Sequence, residues 1–206
     1  MTVTELIPLD RKRTKVFIDG EYTFFLYNSE LYKYGIEEGV ELDENVYREI
    51  DEQVVPKRVK SRTLYILKAS QKTERQLLEK LLEGGYCLKY ASIGIEYAKS
   101  FGYIDDLRYA QYYVENSGRG RSRRDVEQRL MRRGIDKEII RQVLEESFPE
   151  SEDEAIWAAL RKKAVNADNV GELGWEQKNK LYAYLMRKGF SAHGIGRILQ
   201  CDRYGE

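Results

Sequence analysis

The fold is decided by residues 73–86, which read TERQLLEKLLEGGY. Thr73 is of a type that accepts hydrogen bonds from free N–H groups at a helix start, and a glutamine stands three residues later, where a capping partner belongs. Leu77 and Leu81 recur at the spacing of one helix face. Gly85 can adopt the left-handed conformation that ends a helix, and the apolar residue after it can fold back on the last turn. The stretch predicts an amphipathic helix with defined ends.

The same pattern returns twice further along the chain. Residues 122–135 read SRRDVEQRLMRRGI, and residues 177–190 read QKNKLYAYLMRKGF. Each copy has two apolar residues four apart, a glycine four residues later and a further apolar residue. The copies recur roughly every 50 residues, which leaves room for one helix before and one after each middle helix. The third copy is the weakest, because it lacks a good cap at Gln177 and has Gly194 and Gly196 inside its last helix.

We therefore predict a mainly α fold with three tandem three-helix repeats after a small N-terminal module. The predicted first helices are 58–69, 105–117 and 152–166, and the predicted third helices are 88–101, 136–146 and 192–200. The predicted domains are an extension over 1–56 and repeats over 57–104, 105–150 and 151–206.

The N-terminal module has strand signals that the remainder of the chain lacks. Asp19 and Gly20 stand between the apolar runs 16–18 and 21–26. An Asp-Gly pair in this setting indicates a two-residue β-hairpin, because both central positions of a type I′ turn need positive φ.

Two short helices are expected after the hairpin. Asn28 or Ser29 is the predicted cap of the first, which Gly35 ends, and Asp43 is the predicted cap of the second.

Composition indicates a folded protein and leaves its partner open. Among 206 residues, 42% are hydrophobic and 34% are charged, with Lys+Arg and Asp+Glu equal at 35 each. Cys87 and Cys201 are too far apart in sequence for a zinc motif and favour a reduced compartment. Residues 1–15 lack the apolar core of a signal peptide, and no apolar run reaches the roughly 20 residues of a membrane span. We expect a cytoplasmic protein with no membrane partner.

The residues suited to catalysis do not form a recognisable site. The only histidine, His193, has no cysteine or carboxylate constellation near it in sequence. Asp105 and Asp106 could hold a metal, but capping of the following helix after Gly102 is the better interpretation. No phosphate-binding glycine loop of the Walker type is present. The sequence predicts a protein that is not an enzyme, with no metal site and no cofactor.

Residues 118–133 have the strongest concentration of charge, with seven arginines against Asp125 and Glu127. Guanidinium groups bind phosphates and carboxylates through paired N–H groups, and a helix N-terminus also favours anions. A solvated helix face is the alternative explanation. The binding candidates are Arg119, Arg121, Arg123, Arg124, Arg129, Arg132 and Arg133. A second basic cluster comprises Lys57, Arg58, Lys60 and Arg62.

Tyrosine is common, with 16 residues. Tyr109, Ala110, Tyr113 and Val114 fall on one face of the helix predicted from residue 105. These tyrosines could stack on nucleic-acid bases, but core packing suits tyrosines interleaved with alanine and valine better.

One stretch resembles a known family. Residues 102–124 resemble the RecX family of bacterial recombination regulators. The resemblance lies in GYIDD at 102–106, in the pairs Tyr109-Ala110 and Tyr113-Val114, and in RSRR at 121–124. The similarity extends from residue 57 to about 200, and the N-terminal module resembles an extension of some members. The motif residues that we expect to be structural are Gly102, Tyr103, Asp105, Asp106, Tyr109, Ala110, Tyr113, Leu130 and Gly134.

The resemblance implies three helix-turn-helix-like units in an elongated, curved and monomeric protein. It implies binding to the RecA nucleoprotein filament and inhibition of its recombinase, ATPase and coprotease activities in DNA repair and the SOS response. A helical repeat protein that binds single- or double-stranded DNA directly is the alternative, because three-helix units often place one helix in a DNA groove.

Overall fold

The architecture is known from a computed structural model that describes residues 1–118, 120–147 and 152–200. The chain forms two compact units, Met1–Asp105 and Asp106–Glu206. The first contains a small sheet and helices. In the described part of the second, all regular structure is helical.

The sheet of the first unit has three antiparallel strands: β1 (Val3–Pro8), β2 (Arg13–Ile18) and β3 (Glu21–Tyr27), in that order. Asp19 and Gly20 have φ of +50° and +86°, which confirms the predicted hairpin between β2 and β3. Strand β1 was not predicted. Only its first residue, Val3, is buried, so this edge strand lacks the clear apolar alternation that marks a half-buried strand.

Two short helices follow the sheet: α1 (Asn28–Tyr34) and α2 (Glu44–Glu49). The prediction that Asn28 or Ser29 caps α1 was wrong. The cap position is Tyr27, whose backbone N–H donates to Glu30 at 2.8 Å. The cap at Asp43 is confirmed, because its carboxylate accepts hydrogen bonds from the N–H groups of Asn45 and Val46.

Helix α2 runs into the first long helix without a break. A π-helical turn, Ile50–Val54, joins it to α3 (Val55–Ala69), which begins earlier than predicted. Pro56 lies just after the π-helical turn, inside this continuous helix, where proline cannot donate a backbone hydrogen bond. The wider π-helical turn carries the helix past this proline.

The first unit has a single core shared by its sheet and helices. Helices α4 (Glu74–Glu83) and α5 (Leu88–Ser100) complete the three-helix unit. Val16 and Phe24 of the sheet belong to the same buried cluster as Val59, Leu77 and Ile95 of the helices. The N-terminal module is therefore part of the packing of the first three-helix unit.

The second unit contains two further groups of three helices, each with its own core. The first group is α6 (Asp106–Tyr113), continued by the π-helical turn Val114–Gly118, with α7 (Arg123–Arg132) and α8 (Lys137–Ser147). The second is α9 (Glu152–Arg161), α10 (Trp175–Arg187) and α11 (Ala192–Leu199). Separate clusters centred on Leu130 and on Leu185 fill the two cores. The predicted mainly helical fold class is confirmed.

The repeated glycine ends the middle helix in the same way in all three copies. Its φ is +95° at Gly85, +82° at Gly134 and +83° at Gly189. The next residue donates its N–H to the carbonyl five residues back: Tyr86 to Leu81 at 3.1 Å, Ile135 to Leu130 at 3.3 Å and Phe190 to Leu185 at 3.4 Å. Each apolar residue after the glycine is buried. This is the predicted fold-back.

The third copy departs from the other two at its helix start. Thr73 and Ser122 cap α4 and α7, as predicted. Helix α10 begins at Trp175, so Gln177 lies within its first turn, and its side chain accepts from the N–H of Gly174 at 3.3 Å.

Helix α9 also differs from its prediction, because it ends at Arg161 and not at residue 166. Ala164 has φ of +58°, a conformation that cannot continue a right-handed helix.

Candidate macromolecule-binding surface

The most basic stretch of the sequence forms the start of α7. The hydroxyl of Ser122 accepts from the N–H of Asp125 at 3.1 Å, which fixes the beginning of the helix. The first two helical residues are Arg123 and Arg124. Arg119, the first of the predicted binding arginines, lies outside the described residues.

Two of the arginines are held by one carboxylate. Asp125 accepts from Arg121 Nη1 at 2.9 Å and from Arg129 Nε at 3.0 and 2.9 Å. Partial burial favours the protonated form of Asp125, but the hydrogen bonds and charges of Arg129 and Arg121 outweigh it and lower the pKa of the carboxyl. The three side chains form a structural cluster along one face of α7, so Arg121 and Arg129 have reduced freedom to bind a partner.

Arg133 connects α7 to α6. Its Nε donates to the hydroxyl of Tyr109 at 3.1 Å, and its guanidinium lies 4.6 Å from the ring centre of Tyr113. Its Nη1 also donates to the carbonyl of Arg129 at 3.1 Å. Arg133 is therefore part of the packing of its unit.

The remaining arginines, Arg123, Arg124 and Arg132, are exposed. None of them forms an ion pair within the described part of the chain. Arg123 and Arg132 are nine positions apart, which places them on roughly opposite sides of an α-helix with 3.6 residues per turn. Arg123 and Arg124 are adjacent at the start of α7, and they form the more compact charged site.

These two arginines border a cleft in the second unit, between its helix groups α6–α8 and α9–α11. Its volume is about 530 Å³. The lining residues are Ser122, Arg123, Arg124, Glu152, Ala155, Met186, Gly189, Phe190, Ser191 and Ala192. We call it the Arg123–Arg124 cleft. No local pattern indicates this cleft, because its walls come from segments that are far apart in the sequence.

The acidic residue of the cleft is already engaged within the chain. Glu152 accepts from the backbone N–H of Ser191 at 2.8 Å and from its hydroxyl at 2.6 Å. Met186 is 45% exposed and lines the cleft together with the buried Phe190. The cleft thus joins exposed positive charge to an apolar surface.

The cleft depends on a close contact between the two groups of helices. The N–H of Ser122 donates to the carbonyl of Lys188 at 3.2 Å. A Cβ atom at Gly189 would lie 2.6 Å from Ser122 Oγ, so only glycine allows this approach. Burial and the nearby charges of Arg121 and Lys162 lower the pKa of Lys188.

The second basic cluster, in α3, also divides into structural and exposed residues. Arg58 donates to the carbonyl of Phe25 at 2.9 Å and to both oxygens of Glu30 at 2.5 and 2.6 Å. Lys57, Lys60 and Arg62 are exposed.

The family-motif residues have mainly structural positions. Ala110, Tyr113 and Leu130 are buried, and Val114 packs with them. The interpretation of Tyr113 as a core residue is therefore confirmed. Gly102 has φ of +67° after α5, and the following Tyr103 is exposed beside Phe101. Helix α6 begins at Asp106, and capping by Asp105 stays a prediction.

Other chemical features were also located. His193 is exposed, and Cys87 has a free thiol, whereas Cys201 lies outside the described residues. Within the described ranges, no three His, Cys, Asp or Glu side chains are grouped to hold a metal ion. The same ranges contain no helix with the length and apolar character to cross a membrane.

The fold and the surface define a class of protein: helical, built from tandem three-helix units, with an arginine-bordered cleft. Comparison with known proteins agrees. The family description "RecX, second three-helix domain" matches residues 105–144, and "RecX, third three-helix domain" matches residues 150–199. The chain belongs to the RecX family.

Relatives cover nearly the whole chain. The chain is 32% identical to Regulatory protein RecX of Caldanaerobacter subterraneus subsp. tengcongensis, over 97% of this chain and 98% of the relative. It is 26% identical to Regulatory protein RecX of Clostridium beijerinckii, over 97% and 94%.

Solved structures share the fold. One, described as a crystal structure of regulatory protein RecX, has a TM-score of 0.57 at 22% identity and covers 97% of this chain and 98% of its own. RecX from Lactobacillus salivarius has a TM-score of 0.54 at 22% identity, over 71% of this chain and 96% of its own.

Proposed function

We propose that this protein binds the RecA nucleoprotein filament and inhibits the recombinase, ATPase and coprotease activities of RecA during DNA repair and the SOS response. The observation that supports it best is the similarity to regulatory proteins RecX over almost the full chain. The protein acts as a monomer and without catalysis of its own. It shifts the filament toward a blocked or disassembling state through its higher affinity for that state.

The Arg123–Arg124 cleft is the proposed contact with the filament. Arg123 and Arg124 are exposed and have no internal ion pair among the described residues, so binding to carboxylates or phosphates of the filament breaks no existing bond. Met186, which is 45% exposed, adds apolar surface next to this charge. Arg121, Arg129 and Arg133 support the helix that presents the two arginines. Arg132, Lys57, Lys60 and Arg62 are secondary candidates.

The test is the DNA-dependent ATPase of RecA, measured with increasing amounts of this protein at several salt concentrations. Stoichiometric wild-type protein is expected to inhibit, and the variant Arg123→Glu/Arg124→Glu to need at least tenfold more protein, because like charges placed together at an interface cost several kcal/mol and about 1.4 kcal/mol already corresponds to tenfold. Lys137→Glu/Lys180→Glu is the matched control, with the same charge change at exposed positions outside the cleft. Arg129 is left unchanged because its loss would leave Asp125 poorly paired.

The outcomes separate the two candidate functions. No inhibition by the wild-type protein at any salt concentration would refute the RecA proposal. Equal inhibition by both double variants would remove the cleft from it. Tight binding to naked DNA with a steep salt dependence, and no additional affinity for RecA-coated DNA, would favour the alternative of direct DNA binding.

A further inference from the structure

A second cleft lies within the first unit, where the sheet meets the helices. Its volume is about 680 Å³. Its lining includes Lys12 of the β1–β2 turn, Arg13 and Phe25 of strands β2 and β3, Arg58 and Arg62 of α3, and Tyr86 after α4. We call it the sheet–helix cleft. Of all the side chains that line it, five are cationic and two are acidic.

Two guanidinium groups are fixed in the wall of the cleft around one aromatic ring. The guanidinium carbons of Arg13 and Arg58 lie 5.0 and 5.3 Å from the ring centre of Phe25. Phe25 is buried and packs edge-on against Tyr86, with ring centres 5.0 Å apart. Both guanidinium groups therefore lie against a ring that is buried in the core of the first unit.

Internal hydrogen bonds orient both guanidinium groups without using all their donors. Arg13 donates from Nε to Asp10 at 2.7 Å and from Nη1 to the carbonyl of Gly84 at 2.8 Å. Arg58 donates from Nη1 to the carbonyl of Phe25 and from Nη2 to Glu30. A guanidinium has five N–H donors, so each group keeps N–H groups that no acceptor in the described residues takes up.

The rim adds exposed positive charge. Lys12 and Arg62 are exposed, and neither forms an ion pair within the described ranges. Burial raises the pKa of the Tyr86 phenol to about 12, against the opposing effect of Arg58, Arg62 and Arg13.

We infer that the sheet–helix cleft binds a phosphate group, carried either by a nucleic-acid backbone or by a free nucleotide, with Arg13 and Arg58 as fixed donors and Lys12 and Arg62 on the rim. Two guanidinium groups that line one cleft can each donate to a different oxygen of a phosphate group, whereas a planar carboxylate is matched by one guanidinium. The site is independent of the proposed RecA contact, because it shares no residue with the Arg123–Arg124 cleft.

The test uses a fluorescently labelled oligothymidylate and, separately, thymidine monophosphate as probes of the full chain. Arg13 and Arg58 Nε–H resonances are expected to shift in NMR spectra when a probe is added. Lys12→Glu/Arg62→Glu is expected to weaken binding at least tenfold and, for the oligonucleotide, to reduce the slope of log affinity against log salt by about 1.4, since each single-strand phosphate contact contributes about 0.7. Lys68→Glu/Lys72→Glu is the control, with the same charge change outside the cleft.

All measurements are made in an Arg123→Glu/Arg124→Glu background as well as in the native chain, so binding at the other cleft is not mistaken for this one. Shifts with both probes, or with only one, support the site and identify its source of phosphate. No shift with either probe overturns it, as does equal binding by the rim variant and its control. Displacement of both probes by polyglutamate at equal charge would also overturn it.

A second variant guards against misfolding of the first. Ser61→Asp places one carboxylate at the exposed rim, with folding checked by circular dichroism, and is expected to weaken both probes.

Discussion

The contact between Gly189 and Ser122 allows a quantitative test of how the helix groups α6–α8 and α9–α11 of the second unit are joined. Gly189→Ala forces a left-handed conformation on a residue with a side chain, which costs about 1–2 kcal/mol. The added Cβ would also lie 2.6 Å from Ser122 Oγ and 3.3 Å from Asp125 Cβ, and relief of such overlap costs about 1–3 kcal/mol. Lower chain entropy in the unfolded state returns about 0.4–1 kcal/mol. We expect a net loss of about 2–4 kcal/mol.

A double-mutant cycle isolates the contact from the backbone strain. Ser122→Ala alone removes the cap of α7 and costs about 1 kcal/mol. In the double variant the hydroxyl that overlaps the new Cβ is gone, so we expect the combined loss to be about 1–2 kcal/mol smaller than the sum of the single losses, beyond the usual error of additivity.

The assay is urea unfolding followed by circular dichroism, with amide hydrogen exchange on α7 and α10 to assign the loss to this part of the chain. Additive losses within about 0.5 kcal/mol would refute the contact. Gly102 also has positive φ, but the space at its Cβ position is open. The contact would also be refuted if Gly189→Ala lowered the unfolding free energy no more than Gly102→Ala does.

Three further predictions concern a core leucine, a partly buried carboxylate and a buried tyrosine hydroxyl. Leu130→Ala removes a fully buried side chain and is expected to destabilise the second unit by about 2–5 kcal/mol in urea unfolding. Asp125→Asn removes a carboxyl whose pKa is lowered by folding, so the stability it contributes is complete above its unfolded pKa and is lost as pH falls through the folded value. The difference in unfolding free energy between this variant and the native chain should be constant at neutral pH and shrink below pH 3.8. Tyr90→Phe removes the hydrogen bond of 2.5 Å to Asp51 and is expected to cost about 1.5–3 kcal/mol in thermal or urea unfolding, with a loss near zero contradicting the bond.

The repeat could be predicted from the sequence because its signals are local. A cap, an apolar stripe and a terminal glycine act within one helix, and Thr73 and Gly85 behave as their residue types require. Strand β1 was missed because an edge strand with one buried residue leaves little pattern, and the start of α10 was missed because Gly174 offers no side-chain cap.

The division of the arginines could not be predicted, because it depends on contacts between elements. Arg133 bonds to Tyr109, which lies 24 positions earlier in the chain, and no local pattern reports this pairing. Arg121 and Arg129 have Asp125 at helical spacing, so their pairing could have been foreseen from the sequence. Both clefts are formed by distant segments and required the structure.

The common core of the sheet and the first three helices has a consequence for the ancestry of such proteins. Tandem units that pack only on their neighbours can be gained or lost one at a time, but the first unit here closes one of its faces with Val16 and Phe24 of the sheet. A descendant that lost the sheet would remove Phe25 from the ring of Tyr86, and this buried side chain would then need a new apolar partner. The sheet therefore limits which shortened forms of the protein can arise by deletion.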